Sequence, residues 1–137
     1  MSPVLALAIA AALLALATAI GLVLRRRDGR RREGGTQRFD PQDVDSAPLG
    51  SRATLVQFST EMCTRCPQVR RLLREYTEER DGVHHLEVDL THRPELSQRY
   101  RVLQTPTTFL VDPDGAVLAR FHGVPQRDAL THALAAV

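Results

Sequence analysis

The sequence predicts an α/β fold in which a mixed central sheet is flanked by helices, preceded by one N-terminal transmembrane helix. Three observations indicate this fold. Residues 4–24 form an uninterrupted apolar stretch, residues 53–90 follow a strand–helix–strand pattern, and residues 107–123 hold two short apolar strands around a tight turn. The globular part, residues 51–137, therefore has the predicted order βαβ followed by α-ββα.

The N-terminal segment is predicted to be a membrane anchor. Val4 to Leu24 is 21 residues without a charge, and a helix of that length, at about 1.5 Å per residue, crosses a hydrocarbon core of roughly 30 Å. Residues 25–32, RRRDGRRR, follow with six arginines and one acid, whereas no arginine or lysine precedes the stretch. A cleaved signal peptide carries its basic residues before the apolar core, so the pattern favours an uncleaved single-pass anchor over cleavage near Ala17–Ala19.

The charges also predict on which side of the cell membrane the domain lies. By the positive-inside rule, an arginine block directly after the apolar stretch predicts a cytoplasmic domain, with an extracytoplasmic domain as the alternative. The block itself is expected to rest on anionic lipid headgroups. No nucleic-acid partner is expected, because residues 51–137 contain 11 arginines and 11 acidic residues and extend no basic surface.

Residues 25–50 are predicted to be a basic stop-transfer flank followed by a flexible linker. Residues 33–50 hold three glycines, two prolines and four acidic residues, a composition typical of a flexible tether. Phe39 and Val44 could dock on the domain, but no periodicity in this segment requires it.

The first βαβ unit is predicted in residues 53–90. Ala53–Ser59 is apolar and β-branched, which is typical of a strand. Thr64–Arg80 is predicted to be a helix, because its apolar residues recur at helical spacing, and Asp81-Gly82 ends it. Val83–Leu90 alternates and is predicted to be the second strand.

The second half of the domain is predicted to add a helix, a hairpin and a closing helix. Pro94–Tyr100 is read as a short helix. Thr107–Asp112 and Ala116–Gly123 are predicted strands joined by the tight turn PDG, in which glycine suits the position with positive φ. Pro125–Ala136 carries apolar residues on one side and is predicted to be the last helix.

The two cysteines of the chain, Cys63 and Cys66, are predicted to form a redox couple. Cys63 is expected where the first strand ends and the helix begins, and a helix N-terminus stabilises a thiolate and lowers its pKa. Residues three apart in a helix share a face, so Cys66 can reach back to Cys63. The first sulfur can attack a disulfide and the second can resolve the mixed intermediate.

These motifs resemble the thioredoxin superfamily, and within it the membrane-anchored, TlpA-like thiol–disulfide oxidoreductases. The similarity covers roughly residues 49–137 and depends on three features: the C-x-x-C in VQFSTEMCTRCPQV, the Thr105-Pro106 step in TPTTFLVDPDG, and Gly123 before the closing helix. The resemblance implies a thioredoxin fold and a thiol–disulfide exchange enzyme.

The resemblance also implies roles for individual residues. Cys63 would be the attacking nucleophile and Cys66 the resolving thiol. Pro106 would follow a cis peptide bond beside the active site. Thr105 would offer its backbone to an extended substrate segment. Met62 stands where the family often has tryptophan, which makes the substrate contact more pliable.

Three further residues bear on the acid–base chemistry of the couple. Gln57 stands where thioredoxin carries a buried aspartate that helps take the proton from the resolving cysteine, and an amide cannot titrate. Glu61 is therefore a possible carboxylate for proton transfer. In the intervening dipeptide Thr64-Arg65, Arg65 adds a cation near the thiolate, which predicts a couple more oxidising than thioredoxin itself.

The expected partners and cofactors follow from this chemistry. The substrates would be protein disulfides or dithiols, and the redox-active disulfide would need no bound cofactor. An upstream thiol reductant would be of the thioredoxin-reductase type if the domain is cytoplasmic, or a transmembrane thiol shuttle if it lies outside. The alternative is a non-enzymatic metal-binding or thioredoxin-like scaffold module, but no two of the five histidines have finger-type spacing and no metal is expected.

Overall fold

A computed structural model describes residues 2–27, 31–33, 35, 37–45 and 47–137. It begins with helix α1, Pro3–Arg27, which is rich in alanine and leucine, two strong helix formers. Within residues 3–26, a window of 18 residues has a mean hydropathy of 2.6, and none of this window is buried in the domain. By length and composition α1 could cross a membrane, and a signal sequence would have the same properties. Residues 28–30 of the predicted basic flank lie outside the described residues.

Five strands form one mixed sheet within the part of the chain that the structure describes. In sheet order β1-β5-β4-β2-β3, β2 and β3 are parallel and the other neighbours are antiparallel. The strands are β1 Arg31–Glu33, β2 Ala53–Ser59, β3 Val83–Asp89, β4 Thr107–Val111 and β5 Val117–His122. The helices of the domain are α2 Cys66–Glu78, α3 Pro94–Arg99 and α4 Arg127–Ala135, with a 3₁₀ turn at Pro41–Val44. The predicted mixed sheet between helices is confirmed, and β1 is an additional strand.

Strand β2 separates two halves of the hydrophobic core. All seven of its residues are buried, and successive side chains point to opposite faces. Leu55 faces the cluster that contains Val69 of α2 and Leu130 of α4. Phe58 faces the second cluster, which contains Leu96 of α3. Both faces of the central strand are therefore covered by helices, as its continuous apolar pattern requires.

Helix α2 is shorter than the predicted Thr64–Arg80. A turn precedes it, in which the Cys63 N–H donates to the Thr60 oxygen at 3.2 Å, and the helix begins only at Cys66. Pro67 follows in the first helical turn, where its missing N–H has no intrahelical partner to lose. At the far end, Gly82 takes the predicted positive φ, 76°, before β3 begins.

Part of the segment predicted to be a flexible linker packs against the domain instead. Phe39 is 3% exposed, and its ring centroid lies 5.5 Å from that of Tyr100 and 6.5 Å from that of Phe58. Its backbone N–H donates to the Gly115 oxygen at 2.7 Å. An isolated aromatic residue has no periodicity that could have revealed this contact. The packed part of the domain therefore extends N-terminal to residue 51.

Asp43, in the same segment before β2, binds residues in and next to α3. Its carboxylate forms an ion pair with Arg99 at 2.6 Å and accepts a hydrogen bond from the Tyr100 hydroxyl. The Arg93 guanidinium donates to the Asp43 backbone oxygen at 2.7 Å. Burial, followed by the hydrogen bond to Asp43, raises the pKa of Tyr100 to about 12, so this hydroxyl stays a neutral donor at physiological pH.

We predict that Phe39→Ala lowers the free energy of unfolding by about 3–5 kcal/mol, the usual cost of truncating a buried phenylalanine. Urea unfolding followed by circular dichroism measures the change. Leu103→Ala is the control, because Leu103 is 94% exposed and its truncation should cost less than about 0.5 kcal/mol. Equal stability of the two variants would show that residues 37–50 are a tether after all.

Candidate active site

The two cysteines lie in the loop and helix that follow β2. They form a disulfide, with their Cα atoms 5.4 Å apart. Cys63 is partly exposed in the loop, whereas Cys66 is 1% exposed in the first turn of α2. A partner sulfur can therefore approach Cys63, while Cys66 is shielded by the domain.

The disulfide lies at the N-terminal end of α2. Cys66 is the first residue of the helix, and Arg65 is the N-cap residue before it. The first turn of a helix carries unpaired N–H groups and the positive end of the helix dipole. The sequence predicted that Cys63 stands where the helix begins, but Cys66 occupies that position and Cys63 lies three residues before it in the loop. A thiolate formed here on reduction would be stabilised by these groups.

The loop that ends at Pro106 lies at the same end of the sheet. The Thr105–Pro106 peptide is cis, as the resemblance implied. Phe58 pairs with Thr107, so the end of β2 and the beginning of β4 are adjacent. Pro106 is buried, and its oxygen accepts a hydrogen bond from the Gly123 N–H at 2.9 Å. The cysteine loop, the cis-proline loop and Gly123 therefore meet at one end of the sheet.

Several exposed residues flank the disulfide. Met62 is 89% exposed, Thr64 and Arg65 are also exposed, and Thr105 is partly exposed beside the buried proline. Leu103 was missed by the sequence reasoning and is 94% exposed in the chain leading to Pro106. The only available signal was a leucine that fits no helical or strand pattern. Met62 and Leu103 are therefore exposed apolar side chains on loops that also expose polar ones such as Arg65.

Gln57 connects the buried cysteine to a histidine. The Gln57 side chain is fully buried and donates from Nε2 to the Cys66 backbone oxygen at 3.0 Å. Its Oε1 lies 3.0 Å from Nε2 of His85. Because a carbonyl oxygen only accepts, the amide nitrogen must face Cys66, and Oε1 must accept from His85. His85 therefore carries its proton on Nε2.

The His85 ring lies in a half-buried charged cluster. Burial lowers the pKa of His85; Glu87 opposes this change, and Arg74 and Arg70 add to it. Arg70 forms a two-pronged ion pair with Glu87 at 2.5 and 2.6 Å. The hydrogen bond from Arg70 holds the pKa of Glu87 below its usual value. The sequence reasoning missed this cluster, because it depends on the register between β2 and β3.

Glu61, the other predicted proton-transfer residue, is exposed. Its backbone N–H donates to the Thr91 hydroxyl at 2.9 Å, and the same hydroxyl donates to Asp89 at 2.6 Å. These bonds fix the loop that carries Cys63 to the loop after β3. For metal binding, the described residues contain no group of three or more His, Cys, Asp or Glu placed to hold an ion.

Solved structures of thioredoxins share this fold. Malaria-parasite thioredoxin-2, described as a component of the protein secretion machinery, is 19% identical with a TM-score of 0.56, over 62% of this chain and 82% of that one. The short form of spinach chloroplast thioredoxin F is 20% identical with a TM-score of 0.55, over 64% and 77%. A designed protein is 23% identical with a TM-score of 0.58, over 69% and 89%.

No curated protein matches the chain. The family model of the thioredoxin-like domain, however, matches residues 40–137, which begin directly after Phe39 and include Asp43, the disulfide loop and the closing helix. The chain belongs to the thioredoxin-like domain family.

Proposed function

We propose that this chain is a membrane-tethered thiol–disulfide oxidoreductase that exchanges its Cys63–Cys66 disulfide with protein thiols. The observation that carries this proposal is the unequal exposure of the two cysteines at the N-terminus of α2. Cys63 is accessible to a partner, and Cys66 is 1% exposed directly behind it. A structural bridge over so short a loop would constrain the unfolded chain little.

The reaction would proceed in two exchanges. With the couple reduced, the Cys63 thiolate attacks a disulfide in the partner protein, forms a mixed disulfide and displaces one partner thiolate. The Cys66 thiolate then attacks the sulfur of Cys63, which re-forms the intramolecular disulfide and releases the second partner thiolate. Two electrons pass from the cysteine pair to the partner, and the same steps in reverse oxidise a partner dithiol.

The surroundings of the disulfide support binding of an extended partner segment. Thr105 would pair its backbone with such a segment, a form of strand addition. Met62 and Leu103, both largely exposed, would contact its apolar side chains. Thr64 and Arg65 complete the loop that faces the partner, and the cation of Arg65 would favour the thiolate form.

The resolving step needs a path for the proton of Cys66. Gln57 is neutral at all relevant pH values and holds the Cys66 backbone rather than taking the proton. His85, hydrogen-bonded to Gln57, is the nearest base in this chain of contacts, and burial keeps it neutral. Glu61 is the exposed alternative, and water would connect either residue to the sulfur.

The tether and the partners complete the proposal. Helix α1 would anchor the chain in the cell membrane, and the arginines that follow it favour a cytoplasmic domain over an extracytoplasmic one. The reductant would then be of the thioredoxin-reductase type, and an extracytoplasmic domain would instead use a transmembrane thiol shuttle. The couple itself would be the only redox group required.

We predict that Cys63→Ser and Cys66→Ser block different steps of the exchange. Cys63→Ser should reduce insulin disulfides no faster than dithiothreitol alone, because the attacking sulfur is gone. Cys66→Ser keeps the attack but cannot resolve it, so it should accumulate a mixed disulfide visible on non-reducing gels. Each variant is the matched control of the other. Full activity in Cys63→Ser, or stoichiometric metal on the wild-type chain without any turnover, would contradict the enzyme and favour a binding module.

We also predict that Arg65→Gln lowers the reduction potential by about 10–20 mV, because a nearby cation stabilises the thiolate of the reduced form and about 30 mV corresponds to 1.4 kcal/mol. The wild-type potential is expected between about −270 mV, the value typical of thioredoxin, and about −180 mV, the value typical of protein disulfide isomerase. Equilibration with glutathione measures both potentials. Arg71→Gln, on the exposed face of α2, is the matched control and should change nothing.

A third prediction tests the neutral state of His85. Its pKa is lower in the folded than in the unfolded chain, so the unfolded chain binds the extra proton and stability must fall as pH drops below about 6.5. His85→Gln keeps a donor for Gln57 but cannot titrate, and should flatten this slope between pH 7 and 5 in urea unfolding. The control is His84→Gln, because His84 is the exposed residue next to His85; this variant should keep the wild-type slope of the free energy of unfolding against pH. Parallel curves for wild type and His85→Gln would contradict the assignment.

A further inference from the structure

The register of the sheet shows where the chain enters the domain. Arg31 of β1 pairs with Phe121 of β5, Phe121 pairs with Thr108 of β4, and Thr108 pairs with Gln57 of β2. With about 4.8 Å between neighbouring strands, the Arg31 backbone lies about 14 Å across the sheet from Gln57. Gln57 is the residue bonded to Cys66. Strand β1 therefore begins at the end of the sheet that carries the disulfide.

From that entry point the chain runs away from the disulfide. Glu33 pairs with Ala119, farther along β5. Arg38 then bridges to Ala116, and the Phe39 N–H donates to the Gly115 oxygen, both at the hairpin between β4 and β5. The six residues of β5 separate this hairpin from the disulfide end, a length of about 20 Å.

The connection to the anchor is short. Helix α1 ends at Arg27 and β1 begins at Arg31, so four Cα steps join them. A fully extended chain covers at most about 14 Å in four steps. Arg31 must therefore lie within that distance of the end of α1, whose residues 3–26 are apolar enough to cross a membrane.

We propose that the disulfide-bearing end of the domain is its membrane-proximal end, and that the partner is a membrane protein that presents its cysteines at the bilayer surface. This inference rests on the membrane tether of the proposed function. The hairpin at Asp112–Ala116, at the opposite end, would point away from the membrane. The exposed apolar residues at the proximal end, Met62 and Leu103, suit a partner surface that is itself partly apolar.

The tether would also act on the kinetics of exchange. A partner in the same membrane is confined to the layer that Cys63 can reach, and a shorter connection makes this layer thinner, which raises the effective concentration of the partner. A soluble protein receives no such advantage. Partner choice would therefore depend on where the reactive sulfur is held as well as on the contacts around it.

Two labelled variants test the orientation in the full chain. In a Cys63→Ser/Cys66→Ser background, Met62→Cys and Asp114→Cys place one donor fluorophore at either end of the domain. The chain is reconstituted in phosphatidylcholine vesicles that contain a small fraction of acceptor-labelled lipid. Because β5 separates the two positions by about 20 Å, the label at residue 62 should show at least about twofold greater energy transfer than the label at residue 114.

The outcomes separate this inference from the function it rests on. A chain that does not float with the vesicles overturns the tether and this inference together. A chain that floats but shows equal transfer, or greater transfer at residue 114, overturns the orientation alone. Insulin reduction by the chain with both native cysteines reports the oxidoreductase activity independently of either result.

A lipid-borne disulfide tests the preference for membrane partners. The reduced full chain is placed in vesicles that contain a phospholipid with a pyridyl-disulfide headgroup. Cys63 displaces pyridine-2-thione, and Cys66 then displaces the lipid thiol, so two chain thiols become one disulfide and the probe becomes two thiols. The rate is compared with that of soluble dipyridyl disulfide.

A flexible Gly/Ser spacer between Asp28 and Gly29 should lower the ratio of lipid-probe to soluble-probe rates severalfold, because effective concentration falls with link length. The same spacer inserted between Pro113 and Asp114, at the distal hairpin, is the control and should leave the ratio unchanged. An unchanged ratio with the spacer after Asp28 would overturn the proposal that the link holds the disulfide at the bilayer.

Discussion

The antiparallel pairing of β2 with β4 is the constraint on which the rest of the site depends. Phe58 opposite Thr107 brings the strand that leads to Cys63 beside the strand that follows Pro106. All seven residues of β2 are buried, so a slip of one residue would exchange the side chains of its two faces. Leu55 and Phe58 could not both keep their clusters after such a slip. Core packing thus sets the geometry of the site at this end of the sheet.

A buried amide, that of Gln57 on β2, lies beside the buried cysteine. A buried amide is costly unless both of its ends are hydrogen-bonded, and Gln57 satisfies both, with Cys66 and with His85. Its orientation is unique, because a backbone oxygen cannot donate. Protonation of His85 would occur on Nδ1 and leave the bond to Gln57 intact. The structural link to Cys66 is therefore independent of pH, while the titrating group lies on the neighbouring strand.

Local patterns were sufficient to predict most of the fold and the cysteine pair. The apolar β2, the turn around Gly115 and the C-x-x-C spacing are each readable within a few residues. Contacts between segments that are distant in the sequence could not be predicted in this way. Phe39 sits alone in a polar stretch, although it packs on Tyr100. The partnership of His85 with Gln57 requires the β2–β3 register, and no local signal records it. The arginines of β1 have no strand pattern, because a backbone ladder to β5 makes that strand.

The segment between α1 and β2 does more than connect two elements of the chain. An uncovered β5 would be a sheet edge with unpaired backbone groups, and β1 covers part of it. At the other end of β5, Phe39 and the Arg38 bridge attach the segment again. Attachment at two places about one strand length apart fixes the direction of the segment relative to the sheet. The composition of residues 33–50 suggests a long flexible link between α1 and the domain. The distance between them is instead limited by the few residues from Arg27 to Arg31, because β1 is already part of the sheet.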